Sequence, residues 1–169
     1  MNTKNYRVTT DVYASKEKRF ANFIIDYAGY YIFTFIVGIL LGILAILGVE
    51  GPLMYLDTMG LVGEYAFTIS IYLVYYVSME AIFQKSFGKF ITKTKVIMED
   101  GSKPTTKDII IRSLCRLIPF EAFSFLGDLG RGWHDSMSDT YVVNIKKYDS
   151  KRTTELELEM IGKSDIDLS

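Results

Sequence analysis

Polar residues that interrupt two long apolar runs are the positions where this chain is most able to do chemistry. Arg19, Asn22 and Asp26 recur at intervals of three and four residues, so on a helix of 3.6 residues per turn they share one face. Glu80 lies near the end of the second run. If the runs cross a membrane, acids at this depth bind and release H⁺ or Na⁺, which predicts a cation or proton site. The competing interpretation is a structural one, in which these polar residues only hold the helices together. An arginine beside the acid favours it, because the two form a permanent, neutralised pair.

The distribution of positive charge indicates that both runs do cross a membrane. Residues 20–47 and 65–83 are almost wholly apolar, and about 20 such residues in a helix traverse the hydrocarbon layer. Between Arg19 and Lys85 there is no lysine or arginine, although the chain contains 19 of them. By the positive-inside rule, this pattern predicts a hairpin of two helices with both termini in the cytoplasm, in a multi-span protein of the inner membrane.

Composition separates these spans from a hydrophilic portion and argues against several kinds of site. Mean hydropathy is +0.18, yet 23% of the residues are charged, so apolar spans must alternate with polar segments. With one cysteine, Cys115, and one histidine, His134, the chain offers neither an intrachain disulfide nor a Cys/His metal cluster. No nucleophile paired with a base and no phosphate-binding loop is visible, so we expect no enzyme activity, no metal and no cofactor. The first run is also too long for a cleavable signal peptide.

A small β element is predicted after the second span. Residues 92–98 are rich in β-branched side chains and are followed by Asp100-Gly101, a dipeptide typical of hairpin turns. Residues 141–145 read as a strand that pairs with 92–98. We expect this element on the cytoplasmic side.

A third helical segment is predicted over residues 106–126. Thr105 and Asp108 have the spacing of a capping box, and the apolar portion that follows is too short to cross, so the segment is expected to be amphipathic or re-entrant. A third full span is the alternative, but it would place the basic residues near 146–152 outside, against the charge rule. The fold class is therefore mainly α and integral to the membrane. Its predicted parts are a cytoplasmic arm (1–18), a membrane domain (19–147) and a polar tail (148–169).

A buried Asp26 requires a compensating partner. An aspartate near the bilayer centre costs about 2.5–3.5 kcal/mol on insertion scales. Arg19 lies two turns earlier on nearly the same face and is expected to reach Asp26, with Asn22 bridging. Arg112 and Arg116 are the alternative partners, if the amphipathic helix docks at the membrane surface.

The dipeptide His134-Asp135 is open to two interpretations. A proton relay or a metal pair is the functional one, but no third ligand is near in the sequence. A loop or capping motif is favoured, in which Asp135 accepts backbone N–H groups or pairs with Arg131 or Arg112.

Other residues predict contacts with the membrane and with partner subunits. Gly38 and Gly42 form a G-x-x-x-G pair that lets a neighbouring helix approach closely. Two spans give little shelter to a polar group, so we expect a homo-oligomer or other membrane protein subunits as partners. Trp133 is expected to be an interfacial anchor. Anionic lipid headgroups, rather than nucleic acid, are the expected partners of four juxtamembrane lysines, Lys85, Lys89, Lys93 and Lys95.

A set of short motifs runs in a fixed order over about residues 18–143. In this combination the chain resembles the RDD family of bacterial membrane proteins, which is named for one arginine and two aspartates. The motifs are Arg19, Asp26, Ser86-Phe87-Gly88-Lys89, residues 96–101, Arg112, Arg131-Gly132-Trp133-His134-Asp135 and Thr140-Tyr141-Val142-Val143.

The resemblance assigns roles residue by residue. Arg19 matches the family's arginine, Asp26 its first aspartate and Asp135 its second. The chain departs from the family at Ser86-Phe87, where Thr-Leu is usual, at Ser136, where a basic residue is usual, and at Asp139, where glycine is usual. The resemblance implies a small multi-span protein suspected of a role in transport, with some members linked to cation/proton antiport. Transport of a cation or proton is thus the first hypothesis, and a non-catalytic accessory or assembly subunit of a larger membrane complex is the alternative.

Overall fold

The computed structural model describes residues 7–127 and 131–167, most of which are helical. Short 3-10 helices lie at Thr10–Val12 and Glu121–Leu126. The remaining elements, in chain order, are α1 (Lys16–Ile46), α2 (Gly51–Asp57), α3 (Leu61–Phe83), α4 (Phe87–Thr92), β1 (Thr94–Met98), α5 (Thr106–Cys115), α6 (Trp133–Met137), β2 (Thr140–Asn144) and α7 (Ile145–Asp167).

Two helices, α1 and α3, are long and apolar enough to cross a membrane. Each contains nearly all of its predicted span and begins about a turn earlier than predicted, and α1 is started by Ser15, whose side chain accepts from the Lys18 amide. Side chains in the C-terminal half of α1 are largely exposed; Phe35, for example, is 70% exposed. Such exposure of apolar residues is typical of a helix surrounded by lipid. Aromatic contacts connect the two helices, with ring centroids 5.5 Å apart for Tyr30 and Tyr72.

The two predicted strands pair as expected. β1 and β2 are antiparallel, with Val96 opposite Val142. The adjacent residues Val96 and Ile97 of β1 are both buried, as are Val142 and Val143 of β2, so both sides of the ribbon are covered by the rest of the chain. Packed against the ribbon is a small hydrophobic core, which consists of Val8, Val12, Ile97, Val143 and Tyr148.

That core includes residues from both predicted terminal segments. Val8 and Val12 come from the arm predicted over 1–18, and Tyr148, which is 1% exposed, comes from the tail predicted over 148–169. The tail residues described here form α7, whose first turn brings the Tyr148 ring onto the ribbon. Residues 1–6 of the arm and 168–169 of the tail lie outside the described residues.

The third helical segment is shorter than predicted, and its buried face carries a charged residue. α5 ends at Cys115, and Phe120, with φ of 65°, separates it from the 3-10 helix. The predicted capping box is present, since the Thr105 amide donates to Asp108 at 2.9 Å. The buried face of α5 carries Arg112, while its apolar residue Leu114 is 48% exposed. The buried face of α5 therefore combines the polar Arg112 and Ser113 with the apolar Ile109, while Leu114 faces outward.

Candidate functional site

Asp26 is held by neutral donors at the start of α4. The Ser86 hydroxyl donates to one carboxylate oxygen at 2.5 Å, and the Gly88 amide donates to the other at 2.6 Å. Asp26 is only 3% exposed. Asn22, one turn earlier, lies within 2.5 Å of the Thr92 hydroxyl and 3.1 Å of the Thr94 hydroxyl. These contacts attach α1 to α4 and to β1.

The ion pair of Arg19 is with Asp135, not with Asp26 as the sequence analysis expected. These two residues are 116 positions apart, and both are buried. Asp135 also accepts from the Gly132 amide at 3.0 Å, which caps α6. Asp26 is the nearest acid to Arg19 by helical spacing along α1. In the folded chain, however, α6 packs so that Asp135 lies beside Arg19. By the resemblance, Arg19 matches the family's arginine and Asp135 its second aspartate. These two residues are therefore in contact in the folded chain.

Glu80 is surrounded by three cations. It is 1% exposed, and its carboxylate lies 3.1 Å from Lys89 Nζ, 3.0 Å from Arg112 Nε and 2.6 Å from Arg116 Nη2. Arg112 and Arg116 had been considered as partners of Asp26, but Arg116 pairs with Glu80, and Arg112 pairs with both Glu80 and Asp135. A buried carboxylate needs such compensation, because desolvation alone strongly disfavours its charge.

Lys89 is part of this cluster, which corrects its assignment to lipid headgroups. It is 4% exposed, and Nζ donates to both Glu80 and Ser86. Lys95 also has a protein partner, because it lies 3.1 Å from Asp149 on α7. Lys93 is exposed, and Lys85 lies over the Phe90 ring.

Arg112 connects Glu80 and its cationic neighbours to the ion pair of Asp135 and Arg19. It is fully buried and binds Glu80 through Nε, while Nη1 donates to Asp135 and to the Thr140 hydroxyl. The pair with Asp135 is one of the two options considered for that aspartate. The other, Arg131, donates to the Asp135 backbone carbonyl at 3.2 Å and stacks on Tyr141.

The cluster contains a pair that sequence reasoning did not single out, Glu121 and His134. Glu121 contacts His134 Nδ1 and accepts from the His134 amide at 3.3 Å, while Nε2 of the ring lies 3.3 Å from Asp135. The available signal was a lone acid in a short apolar stretch, but nothing local connects it to a histidine 13 positions later.

Burial and neighbouring charges control protonation in this part of the cluster. Burial lowers the pKa of His134 to about 4, and the Arg112 charge works in the same direction, so the ring is neutral at pH 7. Burial acts against the charge of Asp135, but the guanidinium groups of Arg112 and Arg19 hold the pKa of that carboxyl well below its usual value. Near neutral pH, His134 is therefore uncharged and Asp135 carries its negative charge.

A cavity of about 110 Å³ lies among these groups. Two acids, Asp26 and Glu121, line it together with His134 and Asn22. The cations on its wall are Arg19, Lys89, Arg112 and Arg116. No group of three or more His, Cys, Asp or Glu side chains placed to hold a metal ion occurs in residues 7–127 and 131–167.

The glycine pair of α1 is far from the cluster. An added Cβ at Gly38 or Gly42 would meet nothing within 4 Å. The two positions do not pack against α3 and remain open to a neighbour outside the chain.

Two apolar helices long enough to cross a membrane, held together at one end by buried ion pairs, define a membrane-type protein. The chain belongs to the RDD family, whose profile matches residues 13–139. Comparison with curated proteins and with solved structures finds no match.

Proposed function

We propose that this RDD protein moves protons across the bacterial inner membrane through the polar cavity beside Asp26. Both termini would face the cytoplasm, and α1 and α3 would form the spanning hairpin. The observation that carries the proposal is a carboxylate on an apolar helix that lines a polar cavity and is held by neutral donors. Acids in this setting are the usual proton-exchanging groups of transport proteins.

Asp26 is better suited to exchange a proton than Glu80 or Asp135. Glu80 has three cationic neighbours and Asp135 has two arginines, so protonating either would leave buried cations without compensation. Protonated Asp26 would keep both of its contacts, because the Ser86 hydroxyl is able to donate or accept and the Gly88 amide still has an oxygen to bind.

The groups around the cavity favour a proton over a metal cation. No set of three His, Cys, Asp or Glu ligands occurs among the described residues, and both acids on the wall, Asp26 and Glu121, already have hydrogen-bond partners. A proton is instead carried on the side chain itself. Several titratable and charged groups surround Asp26. They are Arg19 on α1, Tyr72, Tyr75, Tyr76 and Glu80 on α3, Lys89 on α4, Arg112 on α5, Arg116 directly after α5, Glu121, and His134 and Asp135 on α6.

Proton flux into proteoliposomes tests the proposal. A potassium diffusion potential would drive protons into vesicles loaded with a pH-sensitive dye, with protein-free vesicles as the baseline. Asp26→Asn keeps the shape of the side chain and removes the exchangeable proton, so we expect flux to fall at least tenfold. Asp149→Asn, on an exposed carboxylate of α7, is the matched control. Equal flux in Asp26→Asn and wild type would rule the proposal out.

The open face of α1 supports a second candidate, an accessory or assembly subunit. Gly38 lies in an apolar groove with Tyr31, Phe35 and Ile39, and neither Gly38 nor Gly42 meets a side chain of its own chain. Close helix approach at small residues is a common mode of association in membranes. Purification in native lipid nanodiscs tests this function. A stoichiometric second protein that is lost in Gly38→Leu would support it, whereas a homomer alone would count against it.

A further inference from the structure

We propose that α4 binds anionic phospholipid headgroups at the inner surface of the membrane through Lys85 and Lys93. These two lysines flank the short helix on either side, and the exposed face of the helix between them is apolar. The inference does not depend on proton transport, because it concerns the exposed face of α4 and not the cavity beside Asp26.

The position of α4 beside α1 places it where an apolar span ends. At the start of α4, the Phe87 Cβ lies 3.2 Å from the place that a Cβ on Gly29 would take. At its end, the Thr92 hydroxyl bonds to Asn22. The step from Gly29 back to Asn22 covers about two turns of α1, or about 10 Å. Since the apolar run of α1 begins at Phe20, α4 extends from within the span to its polar end.

The exposed face of α4 has the side chains of an interfacial helix. Phe87, Phe90 and Ile91 are 43–57% exposed, whereas Gly88 and Lys89 are buried against the protein. The apolar stretch that begins with α3 also continues through α4 as far as Thr92. Interfacial helices bury their apolar face about 5–10 Å into the boundary between headgroups and acyl chains, with cations at the polar edge. The exposed face of α4 is therefore suited to contact lipid.

Both lysines direct their charge to the polar end of α4. Lys93 follows Thr92 directly and is therefore at the level of Asn22. Lys85 starts deeper, next to Ser86, but its ammonium group lies over the Phe90 ring, 5.2 Å from the centroid and five residues further along the chain. The stem of Lys85 therefore extends along α4 toward Lys93. A lysine near the end of a span takes this path when it reaches for the headgroups.

The charges of Lys85 and Lys93 are available to a ligand. Among the described residues no carboxylate forms an ion pair with either of them, whereas Lys89 pairs with Glu80 and Lys95 with Asp149. A phosphate group with a net negative charge supplies the missing counter-ion, and basic residues beside a span bind anionic lipids in this way. A zwitterionic headgroup carries its own cation next to the phosphate, so it should bind these lysines less well.

A thermal-shift titration of the delipidated full-length protein in dodecyl maltoside tests the site. The probes are phosphatidylglycerol and phosphatidylcholine with identical acyl chains. We expect phosphatidylglycerol to raise the melting temperature by a few degrees in a saturable manner, because a ligand that binds only the folded state stabilises it. Phosphatidylcholine should have little effect, and added salt should weaken the response to phosphatidylglycerol.

Matched variants locate the response. Lys85→Gln/Lys93→Gln should lose most of the rise, and Lys85→Arg/Lys93→Arg should keep it, because the charge is retained. Lys103→Gln/Lys107→Gln removes the same charge from exposed positions that follow β1, and it should respond as wild type does.

Four results would overturn the proposal. Two are an equal rise with both lipids and an unchanged rise in Lys85→Gln/Lys93→Gln. The third is a rise of the same size with inorganic phosphate, which would identify a free anion as the ligand. The fourth is a dimer that responds to neither lipid and dissociates in Phe90→Ala, which would assign the exposed face of α4 to a second copy of the chain.

Discussion

At Gly88, the backbone of α4 lies directly against α1. A Cβ added at this position would be 2.5 Å from the Asn22 carbonyl oxygen and 2.9 Å from the Asn22 Cα. The close approach brings the Gly88 amide to Asp26. Glycine is thus required here for the approach of two backbones, and the family-type Gly-Lys pair places an amide donor and the buried Lys89 side by side.

Gly88→Ala tests this contact. Because the obstructing atoms belong to the backbone, the helices must move apart, and overpacking of this kind costs about 1–3 kcal/mol. We expect a lower melting temperature in detergent and reduced proton flux. Gly42→Ala, where the added methyl meets open space, should be neutral. Equal melting temperatures for the two variants would contradict the packing described here.

His134 predicts a specific dependence of stability on pH. Its folded pKa of about 4 lies below the ordinary value of 6.5, so between these values the unfolded chain binds a proton that the folded chain does not. The stabilisation is complete above pH 6.5 and is lost as the pH falls toward 4. From pH 7 to pH 5 the loss should be about 2 kcal/mol.

Denaturation in sodium dodecyl sulfate at several pH values measures this slope. His134→Gln should flatten the curve between pH 7 and pH 5. The lowered pKa values of Glu121 and Asp135 leave their own contributions intact in that range, since these are lost only in more acidic solution. A slope that persists in the variant would mean that another group titrates there.

Among the elements, α5 has an unusual distribution of side chains. Arg112 is turned inward to Glu80 of α3 and Asp135 of α6, beside the buried Ile109, whereas the apolar residues Ile110 and Leu114 are exposed. A soluble amphipathic helix keeps its charged residues outside. Ion pairs therefore join α3, α5 and α6 in addition to apolar contacts, so the stability of this region depends on charge balance.

Glu80→Gln tests that dependence. Removing the carboxylate leaves Lys89, Arg112 and Arg116 without their shared counter-ion, and breaking a buried ion pair from one side typically costs about 3–5 kcal/mol. We expect strong destabilisation or loss of folded protein on size-exclusion chromatography. Asp149→Asn, which removes the exposed pair with Lys95, should cost less than about 1 kcal/mol. Similar losses of stability in Glu80→Gln and Asp149→Asn would argue against ion pairs as the contacts that hold α3, α5 and α6 together.

For the molecule as a whole, large apolar residues are exposed outside the two spans as well, on α4, α5, the second 3-10 helix and α6. Phe90, Leu114, Phe123, Trp133 and Met137 are all 44–59% exposed. Isolated exposed apolar residues are common, but a series of this extent next to two candidate spans indicates contact with the bilayer interface.

Trp133 is the single tryptophan of the chain, which makes the position of the interface measurable. With the protein in vesicles, we expect lipids brominated near the headgroup to quench its fluorescence more than lipids brominated deep in the acyl chain. An aqueous quencher such as acrylamide should have little effect. Quenching by acrylamide with none by brominated lipid would show that α6 lies in water, and it would rule out the interfacial position of Trp133.

The sequence by itself was sufficient for the apolar spans, for the strands and for the Thr105 capping box. Each of these depends on residues within a few positions of one another, so hydropathy, β-branching or a three-residue spacing indicates them directly. The same local character explains why the polar stripe of α1 was located correctly as Arg19, Asn22 and Asp26.

Only the tertiary structure decided which charges meet. Arg19 pairs with Asp135 across 116 positions, Lys89 is buried under Glu80 and not at the lipid surface, and Glu121 joins His134. With 19 cations and 20 acids in the chain, many pairings satisfy charge, and side-chain type alone does not rank them. The choice follows from where α4, α5 and α6 pack against the two long helices, because a buried charge is stable only where folding places its counter-ion within reach.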